Sequence, residues 1–305
     1  MPIETIAVGA HATSYPALAW AIAEASAAGA RLAICHVCHP DSALARRVRV
    51  PPALLELANP QLARAVAASR DRLGSQRISL TVATGHVGEA LVRAADGADL
   101  LVVGAPEQTG WAQRRSTTHY VVQHARVPIV VVRTSPALAR GPFAGHVVVG
   151  VDGSAQARAA LAFGFGWAAE HRRPLAAVHV TGRQEDDVWF DESMLETHFV
   201  VEPAGLALLA DEIAPWHGRH PDVPVKRALF AGPAHHGLAR AAAGAILLVV
   251  GSRGLGSAAR AVVGSVSHAA VDGAPCPVAV IPAVHAEHRP QTTVTSQSIR
   301  EVVPT

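Results

Sequence analysis

The pentapeptide LLVVG occurs twice in this chain, at residues 100–104 and at residues 247–251. Each copy is a short run of apolar residues that ends in glycine, which is typical of a strand buried on both faces of a sheet. Three further strand-like segments repeat in the same order with a period near 140 residues, namely 6–10 with 147–151, 33–37 with 176–180, and 127–132 with 276–281. Four repeated segments in one order indicate a duplicated domain.

Alanine-rich segments with helical character separate these strands, at Pro16–Ala28, Pro60–Leu73 and Val87–Ala95 in the first half. Weaker strand signals at Ile78–Ala83 and Val225–Phe230 add a fifth strand to each half. Strands that alternate with helices form parallel sheets through right-handed crossovers. We therefore predict an α/β protein with two tandem domains, each built on a doubly wound, five-stranded parallel sheet.

Domain boundaries follow from local composition. The segment 134–145 contains two Pro and two Gly, and we interpret it as the linker between a first domain at residues 1–137 and a second at residues 143–283. Residues 284–305 are polar with little periodicity and are predicted to form a flexible tail. The segment 182–201 has no clear period, and it is either a loop or short helix over the second domain's site or ordinary surface packing.

The overall composition indicates which partners and which cell compartment to expect. The 26 Lys+Arg and 24 Asp+Glu residues form no basic stripe, so nucleic acid is not expected as a partner. The N-terminal residues lack the pattern of a secretory signal, and the longest apolar run, Ala241–Val250, is half the length that spans a bilayer. Three Cys suit a reducing compartment. The prediction is a soluble cytoplasmic protein without a membrane partner.

The second LLVVG copy is followed by small residues at a spacing that suits phosphate. Gly251-Ser252-Arg253-Gly254 follows the strand directly, and nine residues later Gly264-Ser265-Val266-Ser267 begins an alanine-rich helix. Glycines let the backbone approach an anion closely, and amides at a helix start bind phosphate. Hydroxyls of Ser265 and Ser267 and the charge of Arg253 can add further contacts. We interpret these two segments as a phosphate-binding loop.

Asp152 ends the first strand of the second half. A carboxylate there can accept hydrogen bonds from ribose hydroxyls or hold a phosphate-bound Mg²⁺. The alternative is that Asp152 or Ser154 only caps the next helix, because both residue types are favoured caps. Neither Asp152 nor the glycines alone would indicate a ligand site, and it is their combination that makes the prediction specific.

These residues resemble the universal stress protein family, and in particular its members with two tandem domains. The resemblance covers about residues 3–133 and 145–282, and the family's Gly-x2-Gly-x9-Gly-(Ser/Thr) signature is matched by Gly251, Gly254, Gly264 and Ser265. It implies a Rossmann-like fold of the adenine nucleotide alpha hydrolase-like type, with bound ATP. It also implies that Asp152 contacts the nucleoside and that the Val180 backbone lies near the adenine. Whether the ligand is ATP, ADP or AMP stays open.

The first half departs from this signature. His11 stands at the place of Asp152, Glu107 at the place of Gly254, and Arg115 at the place of Gly264. An acidic side chain repels a triphosphate, and Pro106 removes an amide donor. We expect no ATP in this half, which either serves packing alone or binds a different anion through Arg114, Arg115, His11 and Ser116.

The resemblance also implies how the two halves meet. The last strands, Val127–Val132 and Val278–Ile281, would pair antiparallel across a pseudo-twofold axis. Each strand would then cover the edge of the other half's sheet. Dimerisation of the whole chain is left open.

Cys35-His36-Val37-Cys38-His39 matches the C-x-x-C-H pattern of covalent haem attachment. Its first three residues align with a buried strand of the second half, and on a strand Cys35 and Cys38 point to opposite faces. Haem attachment instead needs both thiols on one compact turn. We interpret these cysteines as buried apolar residues, with a redox or zinc role as the alternative.

No known catalytic motif is present in the sequence. We therefore predict a regulatory binding module whose conformation or choice of protein partner depends on the bound nucleotide. The alternative is a slow ATPase or phosphotransferase, in which Asp152 holds Mg²⁺ and His268 or Ser265 lies near the γ-phosphate. A structural protein with an empty site is a third reading.

Overall fold

The sheet of this protein runs through both halves of the chain without interruption. The structure is a computed structural model that describes residues 3–10, 15–38, 60–105, 117–133, 141–182, 187–191, 202–253 and 263–282. Its strands are β1 (Thr5–Gly9), β2 (Arg31–Cys38), β3 (Ile78–Thr84), β4 (Leu100–Gly104), β5 (Ile129–Val132), β6 (Val147–Gly150), β7 (Leu175–Thr181), β8 (Val188–Asp191), β9 (Val225–Ala231), β10 (Leu247–Gly251) and β11 (Val278–Ile281). They form one 11-stranded sheet in the order β3-β2-β1-β4-β5-β11-β10-β6-β7-β9-β8.

Helices cover both faces of this sheet. Among the described residues they are α1 (Tyr15–Ala27), α2 (Pro60–Leu73), α3 (Val87–Ala95), α4 (Thr117–His124), α5 (Ala155–Glu170), α6 (Pro203–His217), α7 (Ala234–Ala241) and α8 (Ser265–Gly273), with a 3-10 turn at Ser75–Arg77. Apolar residues of α1, α2, α5 and α6 pack on one face, and those of α3, α4, α7 and α8 on the other. None of these helices is long and apolar enough to cross a membrane.

Strands buried on both faces explain the sequence pattern. All four residues of β5 and of β11 are buried, and so are the first four of β4 and β10. Because helices cover both faces, these strands are continuous apolar runs instead of alternating ones. The prediction of two α/β halves built on doubly wound parallel sheets is confirmed.

The two halves are joined by an antiparallel pair of strands. In the register of β5 and β11, Val131 lies opposite Val278 and Ile129 opposite Val280. All other neighbouring strands in the sheet are parallel except β8 and β9. The predicted pairing across a pseudo-twofold axis is therefore confirmed, and it merges the two predicted sheets into one.

Two segments differ from their sequence interpretation. Within 182–201, the structure places a sixth strand of the second half, β8, antiparallel to β9 at the edge of the sheet. The Asp187 carboxylate secures it by accepting the Ala231 amide at 2.9 Å and binding Arg240. Within the predicted linker, Phe143 is fully buried and Gly141 donates to the Ala243 carbonyl at 2.8 Å, so this end belongs to the second half's core. Residues 134–140 and the predicted tail at 284–305 lie outside the described residues.

A buried polar cluster crosses the junction on the face of α1 and α5. The Trp167 indole donates to Glu24 Oε1 at 3.1 Å, and His171 Nε2 lies 3.1 Å from Glu24 Oε2. Glu24 is only 4% exposed, and the His171 ring stacks on Trp167 with centroids 3.7 Å apart. One carboxylate of the first half is thus held between two side chains of the second.

The stability supplied by this cluster is expected to fall as pH rises. Burial acts to lower the pKa of His171. The hydrogen bond to Glu24 and the negative charge of Glu24 act to raise it, as do the Trp167 carbonyl and the charge of Glu170. The net effect is a pKa above the ordinary value of 6.5. A group whose pKa is raised by folding stabilises most below its unfolded pKa and loses this contribution as pH passes the folded value.

The measurement compares wild type with His171→Phe, which preserves stacking on Trp167. The difference in unfolding free energy is expected to be larger at about pH 6 than at about pH 9. A difference that is constant or grows over this range would contradict the assignment. Urea denaturation at both pH values measures it.

Candidate functional site

The candidate site lies where the strand order of the second half reverses. From β6 the chain goes outward to β7 and β9, and then returns to β10 and β11 on the other side of β6. Asp152 follows β6, Val180 lies near the end of β7, and Gly251 ends β10. Ligands of open parallel sheets bind at this position, beyond the carboxyl ends of the strands. The structure therefore brings the three predicted residues to the same edge of three neighbouring strands.

The Ser252 carbonyl connects the two parts of the predicted phosphate loop. It accepts the Gly264 amide at 2.8 Å and the Ser267 hydroxyl at 3.0 Å, while the Ser252 amide donates to the Ile281 carbonyl at 2.8 Å. The two bonds to the Ser252 carbonyl hold the end of β10 against the start of α8, although Ser252 and Gly264 are 12 positions apart in the chain. Gly254 lies outside the described residues.

The start of α8 supplies amide donors at this edge. Gly264 is the N-cap, with φ −63° and ψ 152°, and the first amide bonded back along the helix is that of His268, which donates to the Gly264 carbonyl at 3.0 Å. The amides of Ser265, Val266 and Ser267 precede it, and so have no acceptor within the helix. Three successive amides at the positive end of a helix dipole form a site suited to an anion.

The hydroxyl of Ser267 points into the fold. It is within 3.0 Å of both the Ser252 and the Gly264 carbonyl oxygens, and the residue is 2% exposed. The first half has a similar contact at Thr118, the position equivalent to Ser267, whose hydroxyl donates to the Gly104 carbonyl at 3.1 Å, one residue earlier than the equivalent of Ser252. Because the half without the glycine signature also bonds this hydroxyl to the end of its strand, we infer that the contact supports the loop. Ser267 can offer a ligand its amide, but its side chain is already engaged in the fold.

Asp152 and Ser154 form the turn that leads from β6 into α5. The Ser154 amide donates to Asp152 Oδ1 at 3.0 Å, and the Ser154 hydroxyl caps α5 by accepting the Ala157 amide at 3.1 Å. Gly153 between them has φ +77°, a conformation that favours glycine. Ser154 thus caps the helix, as the alternative interpretation of Asp152 and Ser154 expected for one of the two. The turn presents the partly exposed Asp152 at the edge of the sheet.

Two glycines of the site allow close packing. A Cβ on Gly251 would lie 2.7 Å from the Gln156 Cβ and 2.9 Å from its backbone, so Gly251 lets the first turn of α5 approach β10. A Cβ on Gly237 of α7 would lie 2.7 Å from a Val180 methyl group. The Val180 side chain therefore packs against α7. Arg253 follows the loop's first two residues and is half-buried.

Sequence reasoning assigned no role to a repeated histidine near the site. His179 Nδ1 lies 2.8 Å from the Val151 carbonyl, and His36 Nδ1 lies 2.8 Å from the Ala10 carbonyl at the equivalent place in the first half. Each ring ties β7 or β2 to the residue that follows the first strand of its half. The repeat alignment already paired His36 with His179, and this pairing was the signal that could have identified them.

The first-half equivalents are only partly visible. His11, Pro106, Glu107 and Arg114–Ser116 lie outside the described residues, so their predicted effect on ATP stays a prediction. The backbone frame is preserved, because the Ala105 amide donates to the Val132 carbonyl at 2.8 Å as Ser252 does to Ile281.

The haem-like motif lies on a strand, as predicted. Cys35 and Cys38 both belong to β2, where three positions of separation place them on opposite faces of the sheet. Burial raises the pKa of the Cys35 thiol to about 11, opposed weakly by the charge of Arg93. A thiol of this kind stays protonated and inert at neutral pH.

The residues present fit the phosphate end of a nucleotide. The α8 amides supply donors without a negative side chain among Gly264–Ser267, and Asp152 faces the same edge with the oxygen chemistry that ribose hydroxyls or Mg²⁺ require. His268 does not fit the same description, because its ring stacks on His119 of the first half with centroids 4.2 Å apart.

Comparison with known proteins gives consistent results. The chain is 28% identical over 278 residues to Universal stress protein Rv2623 of Mycobacterium tuberculosis, covering 87% of this chain and 91% of that protein. It is 30% identical over 290 residues to a universal stress protein of Mycolicibacterium smegmatis, covering 90% and 95%. The crystal structure of a universal stress protein from Archaeoglobus fulgidus shares the fold, with a TM-score of 0.61 at 16% identity over 91% of this chain and 96% of that one.

The sequence model of the Universal stress protein family matches this chain twice. The matches span residues 4–133 and residues 144–282, and so cover both halves. The chain therefore belongs to the Universal stress protein family, with one copy of the family's domain in each half.

Proposed function

We propose that this protein is a cytoplasmic nucleotide-responsive binding module that holds one ATP, with or without Mg²⁺, in its second half. The observation that supports this most strongly is the Ser252 carbonyl contact, which brings the amides at the start of α8 to the end of β10, the strand next to β6, which Asp152 follows. In this proposal the amides of Ser265–Ser267 hold phosphate oxygens, while Asp152 binds the ribose or a phosphate-bound Mg²⁺.

The proposed response is a shift between conformations. A ligand shifts such an equilibrium only by its difference in affinity for the two states. The start of α8 is a suitable element, because α8 also carries His268 and Asp272, which contact His119 of the first half. Phosphate bound at one end of α8 can therefore affect the contact between the halves.

Binding stoichiometry is expected to distinguish the two halves. Equilibrium dialysis with the full chain should give one ATP per chain, because the first half has Glu107 and Arg115 at the places of Gly254 and Gly264. Asp152→Asn keeps an oxygen that accepts the Ser154 amide but removes the negative charge, and it should weaken ATP binding about tenfold. Asp96→Asn, at an exposed position of the first half, is the matched control and should leave affinity unchanged.

Repeating the titration with and without Mg²⁺ separates the two roles of Asp152. A loss seen only with Mg²⁺ indicates a metal contact, and a loss in both conditions indicates a ribose contact. Two ATP of similar affinity per chain, or an Asp152→Asn variant that binds as wild type does, would contradict the proposal. Under single-turnover conditions ATP should be recovered intact. Phosphate release that disappears in Asp152→Asn would instead support the ATPase alternative.

A further inference from the structure

Three side chains with metal-binding atoms meet at the junction of the two halves, on the face of α4 and α8. They are His119 of α4 and His268 and Asp272 of α8. His119 Nε2 lies 3.0 Å from Asp272 Oδ1, and the ligand atoms of all three residues lie within 4.8 Å of one another. We propose that these residues form a zinc site that links the first half of the chain to the second.

The repeat itself produces the histidine pair. Aligned at the start of α4 and α8, Thr117-Thr118-His119 corresponds to Val266-Ser267-His268. Residues at equivalent positions meet at a pseudo-twofold axis, and the two rings stack at an angle of 29° with centroids 4.2 Å apart. The carboxylate has no such counterpart, because the position equivalent to Asp272 is Gln123. The site therefore has two imidazoles and a single carboxylate.

The spacing within α8 suits two ligands of one ion. His268 and Asp272 are four residues apart, so they lie on the same face of the helix, one turn from each other. The same i, i+4 spacing presents both histidines of H-E-x-x-H zinc sites. His119 then approaches this pair from the other half.

The distances are close to those of a tetrahedral zinc ion. Zinc bonds to nitrogen or oxygen of about 2.0–2.2 Å place two ligand atoms roughly 3.3–3.5 Å apart. The separation of 3.0 Å between His119 and Asp272 is near this value, and no two of the ligand atoms are more than 4.8 Å apart. Zinc binding therefore requires a shift of at most about 1.3 Å, together with a turn of the half-buried His268 ring out of its stack on His119, because an imidazole binds a metal in the plane of its ring. Two imidazoles and a carboxylate are a ligand set that zinc takes, with a fourth position left for water.

Burial and charge set the expected strength of the site. His119 is 3% exposed, whereas the Asp272 side chain is 36% exposed, so an ion can enter from the side of the carboxylate. A hydrogen bond to the Val271 carbonyl holds the Arg133 guanidinium close to the site. Its positive charge attracts the Asp272 carboxylate and therefore competes with a bound cation. The donor set carries one negative charge, and Arg133 offsets part of it. We expect a site weaker than a four-ligand structural zinc site, with a dissociation constant of about 1 μM.

The test is a zinc titration of the full, untagged chain after treatment with EDTA, without nucleotide and against a chromophoric chelator. Wild type should bind one Zn²⁺ per chain, and both Asp272→Asn and His268→Gln should bind it at least tenfold more weakly. The control is His235→Gln/His236→Gln, which removes an exposed pair of neighbouring histidines on α7 and should bind as wild type does. The test avoids His119→Gln, because His119 is buried and its substitution is expected to destabilise the fold, which would confuse a loss of zinc with a loss of folding.

A second measurement keeps folding separate from binding. Each variant is melted without metal to establish that it folds, and then with excess Zn²⁺, which should raise the melting temperature of wild type and control only. Co²⁺ in place of Zn²⁺ should give the visible absorption of a tetrahedral site in wild type. The proposal is overturned if wild type binds no zinc at 100-fold excess over the expected constant, or if Asp272→Asn and His268→Gln bind as tightly as wild type. Loss of zinc in the His235→Gln/His236→Gln control would likewise overturn it.

Discussion

Gly264→Val is expected to weaken ATP binding by about a hundredfold, which corresponds to roughly 2.7 kcal/mol. Gly264 is the N-cap of α8, next to the amides that we propose for phosphate. A branched side chain at this position occupies the space beside those amides, and one or two hydrogen bonds to a charged phosphate are worth about 1.5–3 kcal/mol each. Titration calorimetry with ATP measures the change.

The backbone of Gly264 makes this a fair test of the site. Its φ of −63° is available to every residue, so valine adds bulk without backbone strain. Valine is a poorer cap than glycine, and we expect a stability loss of about 1 kcal/mol, which leaves the chain folded. Gly251 would be a poor choice, because a Cβ there would lie 2.9 Å from the Gln156 backbone.

The control for Gly264→Val is Gly97→Val. Gly97 is exposed in the turn before β4, and a Cβ built on it would have no neighbour within 4 Å. Its ATP affinity should equal that of wild type. Undiminished affinity in Gly264→Val would remove the phosphate role from the start of α8, and with it the basis of the proposed function.

Glu24→Ala is expected to lower the free energy of unfolding by about 3 kcal/mol. Glu24 is buried at the junction, where it accepts the Trp167 indole N–H and lies 3.1 Å from His171. Its removal leaves two buried nitrogen groups of the second half without this acceptor. Urea denaturation should show a lower midpoint with an unchanged slope.

The matched control for Glu24→Ala is Glu89→Ala. Glu89 is half exposed and lies 3.8 Å from Arg93 on the same helix, an exposed pair whose loss should cost less than about 0.5 kcal/mol. Glu24→Gln keeps an oxygen that can accept the indole N–H, so its loss of unfolding free energy should lie between those of Glu24→Ala and Glu89→Ala. Equal stability of Glu24→Ala and Glu89→Ala would show that the buried cluster does not hold the halves together.

Much of the fold could be predicted because its signals are local. The buried strands are apolar runs such as Leu247–Val250, and the helices between them have regular boundaries, so α2 and α3 begin and end at the predicted residues. The strand β8 could not be predicted in this way. It has four residues at a sheet edge, and its pairing with β9 depends on contacts of Asp187 that the local sequence does not reveal.

The candidate site was predictable in position more than in detail. Strand ends and glycine spacing located Asp152, Gly251 and Gly264. The direction of the Ser267 hydroxyl was not predictable, because it depends on how closely the Ser252 carbonyl approaches α8. Contacts across the junction, such as Glu24 with Trp167, join residues 143 positions apart and leave no local pattern.

The antiparallel pairing of β5 with β11 has a consequence for how this protein can vary. When two identical chains associate through such a pair of strands, every substitution occurs on both sides of the symmetry axis. Here a single polypeptide supplies both sides, so the two halves can differ at equivalent positions, as Gln123 and Asp272 do. Covalent fusion thus lets one half specialise while the other keeps its original chemistry, and the shared sheet holds the unequal halves in fixed proportion.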